Sequence, residues 1–165
     1  MSEAAAAHAR AHEADNADNA DDAIGSALPM LLLHARETVM QRFRPHLRRH
    51  AITEQQWRIL RALAEHGEAD MRDLAEHCRI LPASLSRTVA LLVRRALVAR
   101  RHGDDDQRRV IVSLAGEGRA LFAAMIGETS AIHRQLEAQI GAQRLADAHR
   151  VLRELIALGR EAGRD

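Results

Sequence analysis

The chain of 165 residues contains one cysteine and no tyrosine, and aromatic side chains make up only 2% of it. Because a disulfide needs two cysteines, Cys78 cannot form one within the chain. The shortage of aromatic residues leaves Leu, Ile, Val, Met and Ala to build the core, which favours helices. The chain has neither an apolar run of membrane-spanning length nor a signal-peptide pattern, so we expect a cytoplasmic protein with no membrane partner.

Motifs of the common enzyme classes are also missing. The sequence contains no Gly-rich phosphate loop, no Gly-x-Ser-x-Gly elbow and no paired carboxylates in a plausible cleft. We therefore predict that the protein is not an enzyme and that it has no cofactor.

The basic charge is concentrated in one part of the chain. All 24 basic residues are arginines, although the net charge is only +1. Residues 1–23 carry six acidic side chains and one arginine, whereas residues 79–109 carry eight arginines and three aspartates. Arginine offers a planar, permanently charged fork for phosphate oxygens and guanine edges. This basic segment therefore predicts contact with nucleic acid.

The pattern of apolar residues distinguishes an N-terminal arm and two helical segments from the rest of the chain. Residues 1–23 contain no large apolar side chain after Met1, which predicts a flexible N-terminal arm. Residues 24–50 and 116–161 show apolar residues at helical spacing. Residues 116–161 carry more apolar surface than a single long helix can bury alone, so we predict a partner subunit. We expect both segments to form the helical dimerisation region of a homodimer.

Residues 51–115 have the signals of a DNA-binding lobe. Thr53 and Gln56 form a capping-box pattern that opens a helix ending at Gly67. Asp70 is a suitable N-cap for a short third helix, and a fourth helix begins near Pro82. Two short helices joined by a tight turn are typical of the helix-turn-helix motif.

A β-hairpin is predicted directly after these helices. Leu97–Ala99 and Val110–Leu114 contain strand-forming residues, and a polar tip at residues 102–106 separates them. The sequence thus predicts a mainly α fold with a small β-hairpin wing, which is a winged helix-turn-helix.

Candidate DNA contacts lie on the fourth helix and on the wing. A recognition helix reads base edges with the residues of its N-terminal half, while later arginines meet phosphates. At the wing tip, an arginine can enter the minor groove and a neighbouring carboxylate can hold its guanidinium. The predicted contacts are Pro82, Ser84, Ser86, Arg87, Arg94, Arg95, Asp106, Arg108 and Arg109.

These motifs together resemble the MarR family of winged helix-turn-helix regulators. The residues that carry the resemblance are Leu74-Ala75-Glu76, Ser84-Leu85-Ser86-Arg87, Leu97-Val98, Asp106-Gln107-Arg108, Val112-Ser113-Leu114 and Gly118. The sequence departs from the family pattern at three positions. Arg79 and Ala96 replace glycines that are common there, and Leu81 replaces a Ser or Thr helix cap.

Residues 28–37 and 53–58, together with Arg44-Pro45, are similar to the subgroup that represses catabolism of hydroxylated aromatic acids, such as homoprotocatechuate and nicotinate. The resemblance implies double-stranded operator DNA as a partner and a small aromatic carboxylate as the effector that releases it. The predicted ligand-binding residues, in a crevice between the lobes, are Met30, His34, Arg36, Trp57 and Arg61.

The sequence leaves open two other triggers for release from DNA and one other function. His8, His12 and Glu13 have the spacing of metal ligands on a helix, and Cys78 could sense oxidants, although its place on an apolar helix face favours packing. A helical adaptor that does not bind DNA is the alternative function. The operator, the regulated genes and the choice between repression and activation are not encoded in any of these motifs.

Overall fold

The computed structural model of the chain describes residues 28–103 and 106–161. This part of the chain contains six helices and a three-stranded antiparallel sheet. The mainly helical fold with a small hairpin confirms the prediction. In chain order the elements are α1 (Leu28–Arg49), α2 (Glu54–His66), β1 (Glu68–Asp70), α3 (Met71–Cys78), α4 (Pro82–Arg94), β2 (Val98–His102), β3 (Val110–Leu114), α5 (Gly116–Ile140) and α6 (Ala142–Glu161).

The chain divides into two compact units within α1, one ending at Arg42 and the other beginning at Phe43. The predicted arm of residues 1–23 and the predicted helix start at Ile24 lie outside the described residues. The assignment of 24–50 and 116–161 to dimerisation, and of 51–115 to DNA binding, remains a prediction. None of the described helices is both long and apolar enough to cross a membrane.

Helix α2 begins and ends as its sequence predicts. The Thr53 hydroxyl accepts a hydrogen bond from the Gln56 backbone N–H at 3.2 Å, and the Gln56 side chain accepts one from the Thr53 N–H at 3.0 Å. This reciprocal pair is the predicted capping box. Gly67, with φ of +83°, ends the helix. Between these caps, Ile59 and Leu60 are fully buried.

Helices α3 and α4 form the predicted helix-turn-helix. The Asp70 carboxylate accepts a hydrogen bond from the Asp73 N–H at 2.9 Å and so caps α3. Arg79 ends α3 in the left-handed conformation, with φ and ψ both 50°. Pro82 opens α4, and Leu81 before it offers no side-chain cap. The tight turn thus forms without the glycine and the polar cap that usually favour it.

The sheet contains a third strand, β1, which the sequence does not predict. Strands β2 and β3 pair antiparallel, with Val98 opposite Leu114. Strand β1 pairs with the other edge of β3, with Glu68 opposite Ser113. With only three residues, β1 carries no alternation of its own that a sequence pattern could reveal.

Gly118, in the first turn of α5, allows this helix to pack closely against the backbone of Leu97, the residue before β2. The Leu97 carbonyl accepts a hydrogen bond from the Ala115 N–H at 3.1 Å. A Cβ atom at position 118 would lie 1.9 Å from that same carbonyl oxygen. Only glycine therefore permits this close approach.

Replacing Gly118 by alanine tests this constraint. We expect Gly118→Ala to lower the free energy of unfolding by about 1–3 kcal/mol, because the backbone must shift to relieve the overlap. Gly127→Ala in the same helix is the control, since a Cβ there meets nothing within 4 Å. It should raise stability by up to about 1 kcal/mol through helix propensity. Urea unfolding measures both, and equal stability of the two variants would contradict the packing argument.

Candidate nucleic-acid interface

The N-terminal half of α4 presents its polar side to solvent. Pro82, Ser86 and Arg87 are exposed, and Ser84 is half-buried. The opposite side carries Leu85, which is fully buried. The predicted recognition residues therefore share the outward side of the helix, while apolar packing holds the other side.

Three arginines in this region are available for a ligand. Arg87 and Arg94 on α4 and Arg108 at the wing tip are exposed. Among the described residues, no side-chain hydrogen bond or ion pair holds any of their guanidinium groups. A phosphate or a base edge could bind them without first displacing an internal partner.

Two other arginines predicted to contact DNA are already bonded within the protein. Arg95 donates from Nη1 to the Ala51 carbonyl at 2.7 Å and from Nη2 to the His50 carbonyl at 3.4 Å. Arg109 donates from Nη2 to Asp70 Oδ2 at 2.6 Å. Both side chains thus anchor elements of the fold, and their contact with DNA remains a prediction.

Asp106 plays a different part from the one predicted. The expectation is that its carboxylate holds the guanidinium of Arg108, but Oδ1 instead accepts a hydrogen bond from the Arg108 backbone N–H at 2.9 Å. An aspartate in a turn commonly bonds to the backbone two residues on, in the Asx-turn arrangement. Asp106 therefore shapes the turn at the wing tip and does not hold the guanidinium of Arg108.

Asp70 connects the helix-turn-helix to the wing. It caps α3 through Oδ1 and pairs with Arg109, just before β3, through Oδ2. The hydrogen bond from the Asp73 N–H, and then that from Arg109, lower the pKa of this carboxyl group below its ordinary value. Its side chain is only 15% exposed. One carboxylate thus links the start of α3 to the wing.

Arg58 on α2 holds the turn between α3 and α4, a role that sequence reasoning missed. Its Nη1 donates to the Cys78 carbonyl at 2.8 Å and approaches the Arg79 carbonyl at 3.5 Å. The last carbonyls of a helix lack partners within the helix, so an arginine there stabilises its end. No local pattern links Arg58 to residues about twenty positions later.

Two of the predicted ligand-binding residues lie on α2. Trp57 is 7% exposed and stacks on Phe122 of α5, with the ring centroids 5.3 Å apart. Arg61 lies one turn later, is exposed, and donates to Glu65 at 2.7 Å. The helix therefore places an aromatic ring and a cation one turn apart.

The other three predicted ligand-binding residues lie on the part of α1 that precedes Phe43. Met30, His34 and Arg36 are all exposed. Met30 and His34 are one helical turn apart and so share a face of the helix. Their contact with a ligand stays a prediction.

The buried environment of Cys78 disfavours a redox role. Its side chain is 3% exposed, and burial raises the pKa of the thiol, which keeps it protonated. Since the thiolate is the reactive form, the thiol is suited to packing, as the sequence indicates. The candidate metal ligands His8, His12 and Glu13 lie outside the described residues. Within the described residues, His46, His50 and Glu128 are close enough to hold a metal ion.

Comparison with known proteins identifies the family. A MarR-family model matches residues 52–109. The homoprotocatechuate degradative operon repressor of Escherichia coli is 41% identical over 139 residues, which cover 84% of this chain and 94% of the relative. The chain belongs to the MarR family. This MarR-family protein is accordingly a transcriptional regulator and not an enzyme.

Other relatives agree with this assignment. The HTH-type transcriptional regulator FarR of Neisseria gonorrhoeae is 39% identical over 126 residues, covering 76% of this chain and 84% of FarR. The crystal structure of NadR in complex with 4-hydroxyphenylacetate superposes with a TM-score of 0.72 at 37% identity, covering 79% of this chain and 92% of NadR. The fold of this MarR-family protein is thus that of known winged-helix regulators.

The double role of Asp70 can be tested by two substitutions. Asp70→Ala removes the cap and the ion pair and should lower the free energy of unfolding by about 1–2 kcal/mol. Asp70→Asn keeps the cap and loses only the ion pair, so it should lower the free energy of unfolding by less.

The pH dependence of stability tests the ion pair separately. Because the pKa of Asp70 in the folded protein is lowered, wild type should have a higher free energy of unfolding than Asp70→Asn at neutral pH. This difference should fade as the pH falls below about 4, through the folded pKa. Denaturant unfolding across pH measures it, and a constant difference would refute the assignment.

Proposed function

We propose that this MarR-family protein is a homodimeric repressor that a small hydroxylated aromatic or heteroaromatic carboxylate releases from operator DNA. The observation that carries the DNA-binding part is the state of Arg87 on α4 and Arg108 on the wing. Both guanidinium groups are exposed and have no partner among the described residues. Other arginines nearby, such as Arg95 and Arg109, are bonded within the protein.

The proposed binding mode assigns a task to each group of residues. Helix α4 enters the major groove, where Arg87 binds a guanine bidentately and the small side chains of Ser84 and Ser86 permit close approach. Arg94, two turns later, meets a phosphate. Arg108 reaches the adjacent minor groove from the wing tip. Operator binding would place the protein in the cytoplasm, where the sequence also predicts it.

The proposed homodimer is supported by α6. None of residues 142–159 is buried in the single chain. The exposed large apolar side chains of this helix are Val151, Leu152, Ile156 and Leu158. A 20-residue helix with no buried side chain among residues 142–159 needs a partner surface to be stable. A two-fold dimer would place the recognition helices about 34 Å apart, on successive major grooves of a palindrome.

The proposed effector follows from chemistry on α2 and from the relatives. The ring of Trp57 suits an aromatic ligand, and the guanidinium of Arg61 suits a carboxylate. One relative represses a homoprotocatechuate operon and another binds 4-hydroxyphenylacetate. Release requires that the ligand prefer the conformation that does not fit DNA. A preference of about 3 kcal/mol would weaken operator binding roughly a hundredfold.

The DNA-binding proposal is tested by arginine substitutions in a fluorescence-anisotropy titration. The probe is the DNA upstream of the protein's own gene. We expect Arg87→Gln and Arg108→Gln each to weaken binding of the homodimer by roughly thirtyfold or more, because each removes a base or groove contact worth about 1–3 kcal/mol from both subunits. Arg94→Gln should lower the slope of log affinity against log salt by about 1.8, because the homodimer loses one phosphate contact in each subunit.

Arg134→Gln serves as the control, because Arg134 is exposed on α5 and lies outside the proposed interface. It should bind like wild type. If Arg134→Gln weakened binding as much as Arg87→Gln, only overall charge would matter and the proposed interface would be wrong. Absence of salt-dependent binding by wild type would reject DNA binding and favour the adaptor alternative.

The effector proposal is tested by Arg61→Gln, with Glu65→Gln as its matched control. Loss of the guanidinium should raise the concentration of hydroxyphenylacetate or hydroxynicotinate needed for release by about tenfold or more, since a charge-assisted hydrogen bond contributes about 1.5–3 kcal/mol. Glu65→Gln removes the present partner of Arg61 and keeps the guanidinium, so it should not impair release. Trp57, the only tryptophan, reports binding through its fluorescence.

A neutral amide of the same ring completes the design. It should fail to release DNA, because Arg61 binds the negative charge. Equal potency of acid and amide, or equal impairment in Arg61→Gln and Glu65→Gln, would contradict the role of Arg61.

A further inference from the structure

Two histidines at the end of α1 converge on a glutamate of α5. His46 Nδ1 lies 2.5 Å from Glu128 Oε2, and His50 Nε2 lies 3.3 Å from Glu128 Oε1. The histidines are one helical turn apart, and the three candidate ligand atoms lie within 4.8 Å of one another. All three residues belong to the unit that begins at Phe43.

Packing alone does not account for a histidine at position 46. The side chain is 2% exposed, and its Nε2 has no hydrogen-bond partner among the described residues. A buried polar nitrogen left unpaired is destabilising relative to its hydrated state. An apolar side chain would fill this space without that cost, so what the imidazole contributes here is its Nδ1, which faces Glu128.

The guanidinium of Arg49 lies beside these groups and supplies a positive charge next to Glu128. Its Nη2 lies 2.5 Å from Glu128 Oε2 and 3.5 Å from His46 Nδ1. The Arg49 side chain is 68% exposed, so it can swing into solvent when another cation arrives. Glu128 is 42% exposed, which leaves a path from solvent to the carboxylate.

We propose that His46, His50 and Glu128 bind a zinc ion, which displaces Arg49 and takes a water as its fourth ligand. Two imidazoles and one carboxylate are a ligand set that zinc uses in proteins, with the fourth position left to water. Imidazole nitrogen suits zinc and the neighbouring transition metals, whereas calcium and magnesium prefer oxygen. The site does not depend on the proposed effector or on Trp57 and Arg61.

The position of the site connects it to the recognition helix. The backbone carbonyls of His50 and Ala51 accept the hydrogen bonds of Arg95, the residue that ends α4. A zinc ion that clamps His50 to α5 would therefore hold the segment to which the end of α4 is anchored. Binding to the folded state alone should also raise the unfolding temperature.

Zinc titration of the metal-free full chain, followed by competition with a chromophoric chelator, tests the proposal. We expect one ion per chain at this site, a raised unfolding temperature, and the visible absorption of tetrahedral coordination when cobalt replaces zinc. His50→Gln and Glu128→Gln should each weaken binding by at least about tenfold. They avoid the buried His46, whose replacement could prevent folding, and circular dichroism checks their fold.

Two further variants distinguish zinc bound at this site from zinc bound elsewhere on the chain. Arg49→Gln should bind zinc more tightly than wild type, because the competing cation is gone. The double variant His8→Gln, His12→Gln should bind like wild type. Binding that survives His50→Gln and Glu128→Gln but is lost in the double variant would overturn the proposal. Absence of zinc binding by wild type at micromolar zinc would also overturn the proposal.

Discussion

Helix α2 is the element on which the orientation of both the helix-turn-helix and the wing depends. It packs against α3, α4, α5 and the sheet, and its inner residues Ile59 and Leu60 are fully buried. Its polar side also contributes, because Arg58 holds the carbonyls at the end of α3. A shift of α2 would therefore move the turn of the helix-turn-helix and the base of the wing together, since packed interiors transmit displacement.

The arginines of the basic segment divide into two groups that composition alone does not distinguish. Arg95 and Arg109 are bonded to the fold, whereas Arg87 and Arg108 have no partner among the described residues. Internal bonds reduce the freedom of the first group, and the second group remains available to a ligand. Some arginines of the same basic segment thus hold the fold together, while others leave their guanidinium groups exposed.

Two departures from the family pattern show how tertiary contacts override local preference. Arg79 and Ala96 both adopt positive φ, near 50°, where glycine is favoured. A non-glycine residue in this region costs about 1–2 kcal/mol. The Arg79 N–H bonds back to α3, and the Ala96 N–H bonds to the Val93 carbonyl. These bonds, with buried Cys78 and Ile80 around Arg79 and buried Leu97 after Ala96, hold the turns in shape despite the cost.

The sequence by itself determined the elements whose causes lie within a few residues of each other. The capping box of Thr53 and Gln56, the cap at Asp70, the hairpin and the burial of Cys78 are of this kind, because caps and apolar periodicity act over one or two helical turns. Only the tertiary structure decided the contacts between distant positions. The short strand β1 forms only by pairing with β3. Glu128 contacts His46, which lies 82 positions earlier in the chain. Such pairs leave no local signal, because packing of the whole core brings them together.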